Sequence, residues 1–180
     1  MSEFKKITED NFEDFISGNY EEWLDKRINT FLIGSKVDND CYLDQSLIDC
    51  ESQIEQLLAI ELASINLEGI SMFNPFIDVV GIDKQKDISI KNKKYRVDFL
   101  IPVIYKNQEN ISFVVECDGY EFHQKTKQQV ERDNQRQRDL QEAGYEVIRF
   151  SGTEIYHKPY QCAISVKNII LSKCKYIKDE

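Results

Sequence analysis

Between Asp10 and Leu32 the apolar residues Phe12, Phe15, Ile16, Tyr20, Trp23, Leu24 and Ile28 recur at spacings of three and four, the period of an amphipathic helix. Gly18-Asn19 can divide this stretch into two helices. From Gly34 to Asp49 the pattern dissolves into Asp, Asn and Ser. Ser52-Gln53-Ile54-Glu55 then has the form of a capping box. The run Leu57, Leu58, Ile60, Leu62 and Ile65 behind it predicts a helix that ends near Gly69. Past this point the period changes from helical to alternating, with short runs at Phe76 to Gly81, Asp87 to Ile90, Tyr95 to Tyr105 and Ile111 to Cys117, the mark of consecutive antiparallel strands. The short polar connector 106–110 makes a hairpin of the last two, which puts Asp98 and Glu116 on neighbouring strands. Lys125 to Ala143 is charged and rich in Gln and Arg, with Gly144 as its stop, and predicts a helix. Tyr145 to Phe150 (YEVIRF) reads as a buried strand, parallel to the preceding one because a helix separates them. A last helix is expected from Pro159 to Leu171. The predicted fold is α+β: a mixed central β-sheet flanked by helices, with a helical N-terminal extension over residues 1–44 and the main domain over 45–180. No internal repeat is present.

Composition narrows this picture. A chain of 180 residues, 41% hydrophobic and 11% aromatic, suits a single core. The formal charge of −9 argues against a general nucleic-acid coat, which needs a basic surface. The charge is unevenly spread: residues 1–60 hold 5 Lys+Arg against 14 Asp+Glu, and the remaining residues hold 18 against 18. The acidic third is a solvated extension, a docking surface for a basic protein partner, or a cover over a site. There is no membrane-length apolar run and no signal-peptide pattern at the amino terminus, so a cytoplasmic protein without membrane contact is expected. Five widely spaced cysteines (Cys41, Cys50, Cys117, Cys162, Cys174) form no CxxC or Cys/His cluster and are expected to be reduced thiols, not zinc ligands.

The strand Ile111-Ser112-Phe113-Val114-Val115-Glu116-Cys117-Asp118-Gly119 ends in two acids one residue apart. Strand alternation puts both on one face, with Cys117 on the other. Acids so close repel unless a cation lies between them, and their oxygens suit a hard divalent ion such as magnesium. Asp98 stands among Val97, Phe99 and Leu100 on the neighbouring strand and supplies a third carboxylate. Such a set can hold magnesium, with manganese expected to substitute, to neutralise a phosphodiester and generate a hydroxide nucleophile from water. The plain alternative pairs Asp98 with an arginine such as Arg149 and makes Asp118-Gly119 a simple turn.

The ordered set Glu55, Asp98, Glu116-x-Asp118 resembles the PD-(D/E)xK pattern of the restriction-endonuclease-like superfamily: a helix acid, a strand Asp, then (D/E)-x-K. More narrowly, residues 95–150 (YRVDFLI, VVECDGYEFH, RDNQRQRDLQEAGYEVIRF) are similar to small bacterial endonuclease-like proteins related to very-short-patch-repair (Vsr) nucleases. The likeness spans residues 52–156. It implies a magnesium-dependent endonuclease acting on DNA, with RNA left open, in phage defence or DNA repair; a homodimer is a further expectation. It also implies that Asp98 and Glu116 bind the metal with Asp118 beside them, that Glu55 assists, and that His123 activates water or contacts the scissile phosphate.

One departure matters: the superfamily's lysine position is Asp118 here. His123 or Lys125, at the start of the next helix, can supply the cation, and an ordinary histidine pKa suits proton transfer. A helix-capping or surface role for His123 and a solvated Lys125 are the plainer readings. Glu55 is equally well explained as the third residue of the capping box, with Glu51 and Glu61 as substitutes on the same helix. Residues 123–138 carry Lys125, Lys127, Arg132, Arg136 and Arg138 against Glu131 and Asp133. They form either a phosphate track through Lys125, Lys127, Arg132 and Arg136 or a solvated helix with internal ion pairs such as Asp133 with Arg136. Arg149, inside an apolar strand, is expected to satisfy a buried acid or the site itself. Tyr120 and Phe122 either stack on bases or pack the helix onto the sheet. Two rival functions stay open: a catalytically silent nuclease-fold module that binds nucleic acid or a protein, and a metal enzyme acting on a small phosphorylated molecule.

Overall fold

A computed structural model of the chain describes Lys6, Thr8 and residues 48–65, 67–72, 74–106, 108–119 and 126–174. The expected amino-terminal helices and the boundary at residue 44 lie outside the described residues. Helix α1 (Gln53–Ser64) starts at Ser52, whose side chain accepts the Glu55 N–H. It ends earlier than its apolar pattern suggests, and a 3-10 turn (Glu68–Met72) follows. The strands are β1 (Ile77–Val79), β2 (Asp83–Ile90), β3 (Lys93–Tyr105), β4 (Ile111–Asp118) and β5 (Tyr145–Ser151). Helix α2 (Lys127–Glu142) links β4 to β5, and α3 (Gly152–His157) and α4 (Pro159–Lys173) follow β5. The sequence pattern gave no sign of α3.

The sheet is mixed and α+β, as expected, but β1 and β2 do not pair with each other. Both lie along β3, antiparallel to it: Val79 pairs with Val103 and Asp83 with Leu100. Three residues on the edge therefore face two on β3, a bulge in one interrupted edge strand. Pro102 explains its place. Its carbonyl accepts the Val80 N–H at 3.0 Å, so the N–H that proline lacks would have pointed at the same edge, where a break is tolerated. On the other side of β3, β4 pairs antiparallel, and β5 pairs parallel with β4 across the α2 crossover.

Helices cover both faces. The larger core joins Leu58, Ile60 and Leu62 of α1, Ile155 of α3 and Val166 and Ile170 of α4 to Phe99, Ile101, Phe113, Val115, Ile148 and Phe150 of the sheet. The smaller one joins Leu140 of α2 to Ile88, Ile90, Val97 and Val114. Val97 and Phe99 are two residues apart on β3 yet belong to opposite cores, so the strand turns over at Asp98. No helix among the described residues is long and apolar enough to cross a membrane. The four described cysteines are free thiols.

Candidate active site

The site forms where β3 and β4 part. Their last pair at this end is Phe99 with Val115, and Asp98 and Glu116 are the next residue on each strand. Asp98 Oδ2 accepts the Cys117 N–H at 2.6 Å, a side chain standing in for a strand carbonyl. The ladder on the other side skips a step at the same level: Lys84 pairs with Phe99 and Lys86 with Val97. Gln85, between them, has φ 50°, a left-handed conformation that costs a residue with a side chain. In that conformation its Nε2 donates to Glu55 Oε2 at 2.7 Å and its Oε1 accepts from Arg96 Nε at 2.8 Å.

Glu55 meets both readings. It accepts the Glu51 N–H at 2.7 Å and the Ser52 hydroxyl at 2.6 Å, closing the start of α1, and its charge is felt at Asp98. The two substitute acids have other engagements: Glu51 pairs with Arg96 at 3.4 Å, and Glu61 accepts the Ser64 hydroxyl at 3.2 Å.

Two arginines enter from elements that cross the site. Arg136 of α2 donates to both Glu116 oxygens, at 2.8 and 2.9 Å, and to the Arg96 carbonyl, so its guanidinium spans the gap between the parting strands. Arg149 of β5, the strand partner of Glu116, donates from Nε to Asp118 Oδ2 at 3.0 Å and from Nη2 to Oδ1. Arg149 thus satisfies a partly buried acid as expected, but that acid is Asp118 and not Asp98.

Burial pushes the Glu116 carboxyl up to about 7; the Arg136 charge works against this and the Asp98 charge adds to it. Burial also raises Asp98 to about 6, against the pull of the Cys117 N–H. Both are acids whose charge is poorly solvated. Among the described residues no group of three His, Cys, Asp or Glu side chains is arranged to hold a metal ion. Magnesium does not need three, because it keeps much of its water and is commonly bound by one or two carboxylates plus substrate phosphate. The Asp98–Glu116 donor set suits that ion in kind: Asp98 keeps one oxygen clear of the Cys117 N–H, whereas both Glu116 oxygens are held by Arg136 and both Asp118 oxygens by Arg149, so an ion would share Glu116 with Arg136 or displace it.

The structure thus brings Asp98, Glu116, Asp118 and Glu55 into one electrostatic neighbourhood. Lys127 and Arg132 are exposed on α2, whereas Arg136 turns inward to Glu116. His123 and Lys125, with Tyr120 and Phe122, lie outside the described residues. Sequence reading missed Gln85 and Arg96, whose roles depend on a positive φ and an open strand edge that no residue pattern announces.

A family model described as REase_MTES_1575, a restriction-endonuclease-like family, matches residues 77–170, more than half of the chain. The match runs from the first residue of β1 into α4 and contains Asp98, Glu116, Asp118, Arg136 and Arg149, but not Glu55. No curated protein and no solved structure matches the chain.

Proposed function

The chain belongs to the restriction-endonuclease-like family REase_MTES_1575, a membership that points to nuclease-type chemistry, and from it we propose a metal-dependent endonuclease that hydrolyses phosphodiester bonds in DNA. The observation that carries the reading is the Asp98–Glu116 pair, two desolvated acids side by side where β3 and β4 separate. Asp98 and Glu116 would hold magnesium, or manganese in its place, and the ion would supply positive charge for a phosphodiester and acidify water. The chain's own groups do the rest. The Cys117 N–H fixes the Asp98 carboxylate, Gln85 fixes Glu55 beside it, and Arg136 orients Glu116. Asp118 lends charge to the set. His123, five residues past Asp118 in sequence, is the proton-transfer group, with Lys125 as a neighbouring cation. Lys127 and Arg132 on the outer face of α2 contact the phosphate backbone. The kinship with very-short-patch-repair nucleases, and with it a role in phage defence or DNA repair, is proposed on residues 95–150.

The test is nicking of supercoiled plasmid with magnesium, with EDTA, and with Asp98→Asn. Metal-dependent nicking that the substitution reduces by about a hundredfold or more is the expected result. Nicking that survives EDTA or Asp98→Asn would remove the acid pair from the chemistry. One observation favours a second reading: Arg136 and Arg149 already neutralise Glu116 and Asp118. A silent nuclease-fold module that binds nucleic acid needs no more than this, and no nicking at all, with DNA binding retained, selects it.

A further inference from the structure

We propose that Arg149 contacts the scissile phosphate and is a catalytic residue of this site, with Asp118 as the group that holds it in place. The inference rests on the hydrolase reading above. A phosphodiester that approaches Asp98 and Glu116 carries negative charge toward two acids, and position 118, two residues along the same strand, adds a third acid instead of a cation. Besides the ion and Lys125, a cation fixed by the sheet itself would offset that charge. Arg136 is committed: both of its Nη atoms are used on Glu116 and on the Arg96 carbonyl. Arg149 is fixed but open. Nε and Nη2 grip the two Asp118 oxygens, whereas Nη1 has no partner among the described residues. Its side chain is 22% exposed, so the guanidinium is not sealed in the core.

Placement supports the assignment. Arg149 is the β5 residue paired with Glu116, and Ser151 of β5 is paired with Asp118, so Arg149 is held beside the acid pair by strand register, on β5 at the edge of the sheet, and not on a loop. A planar guanidinium with one edge anchored by a carboxylate and the other open is suited to a phosphate oxygen, and its orientation is set before substrate arrives. In this chain the cation reaches the site from β5, and the acid on β4 is its support.

The experiment compares wild type with Asp118→Asn/Arg149→Gln, which removes both charges and leaves two amide side chains that can still hydrogen-bond. Four quantities are read: thermal unfolding, manganese affinity by calorimetry, duplex DNA affinity in calcium by fluorescence anisotropy, and single-turnover cleavage in magnesium. Manganese affinity should stay within about threefold, because the Asp98–Glu116 set is intact. DNA affinity should fall about tenfold, and cleavage by about a hundredfold or more. Asp118→Lys/Arg149→Gln, which moves the cation onto β4, should regain about tenfold in cleavage. A folded Asn/Gln variant that binds DNA and cleaves like wild type overturns the proposal. If that variant does not fold, phenylglyoxal labelling of the unaltered protein decides: DNA with calcium should protect Arg149, and undiminished labelling overturns it. A wild type that binds manganese or DNA but never cleaves, and loses DNA affinity in the Asn/Gln variant, ends the hydrolase reading and leaves the phosphate contact standing.

Discussion

Asp139 shows how much of this site depends on a residue outside it. Its buried carboxylate accepts from Lys93 at 2.9 Å, from Gln135 at 2.8 Å and from the Tyr95 hydroxyl. It therefore ties α2 to the first residues of β3, one helical turn from Arg136. The Tyr95 and Lys93 donors hold the Asp139 carboxyl well below the usual carboxylate range. A depressed acid of this kind stabilises the fold at pH values above its unfolded pKa, near 4, and the contribution disappears as pH falls below that toward its folded value. Asp139→Asn should therefore lower Tm at pH 7, with the gap to wild type closing below about pH 4. A gap of equal size at pH 7 and pH 3 would mean that the carboxylate charge contributes nothing. At this scale the sequence was half legible. Asp98 and Glu116 stood out because acids among Val97, Phe99, Val114 and Val115 require a reason. Asp139 did not, because Arg138 and Glu142 around it are equally polar and only burial distinguishes it.

At the scale of elements, the strands were legible wherever one face was buried. The pattern of β3 follows strict alternation on one face from Phe99 to Val103. The first half of β2 was not legible, because Asp83 to Asp87 are charged or polar and pair along an edge where neither face is fully covered. Helix α3 was missed for another reason: six residues bury only Gly152 and Ile155, too short a stretch for a period to register. Helix α2 was read from its polar composition and its Gly144 stop, although it buries only Asp139 and Leu140. That sparse attachment makes Leu140 its apolar anchor. Leu140→Ala opens a cavity against Ile88, Ile90, Val97 and Val114 and should lower unfolding free energy by about 2–5 kcal/mol, read as a shift in urea midpoint. A loss under about 1 kcal/mol would show that the small core relaxes around the gap. The same substitution should weaken the hold of Arg136 on Glu116, since both depend on where α2 sits.

At the scale of the whole molecule the difficulty is charge. A protein at −9 repels a polyanion, yet the proposed nuclease activity requires one as substrate. The sequence distributes that charge unequally: residues 1–44 hold 11 acidic against 5 basic side chains, and residues 45–180 hold 21 against 18. We propose that residues 45–180 form the nuclease-like domain and that the preceding stretch is a separate acidic extension. A chain comprising residues 45–180 should then fold with a similar Tm and bind duplex DNA more tightly than the full chain at low salt. Salt separates two origins of that gain. If the extension acts only through its field, the difference should vanish near 1 M salt, where the screening length falls to about 3 Å. If it physically covers the site, the tighter binding should persist at every salt concentration at which binding is measurable. Equal affinities at low salt would remove the extension from substrate binding altogether and leave the acidic third free for a basic protein partner.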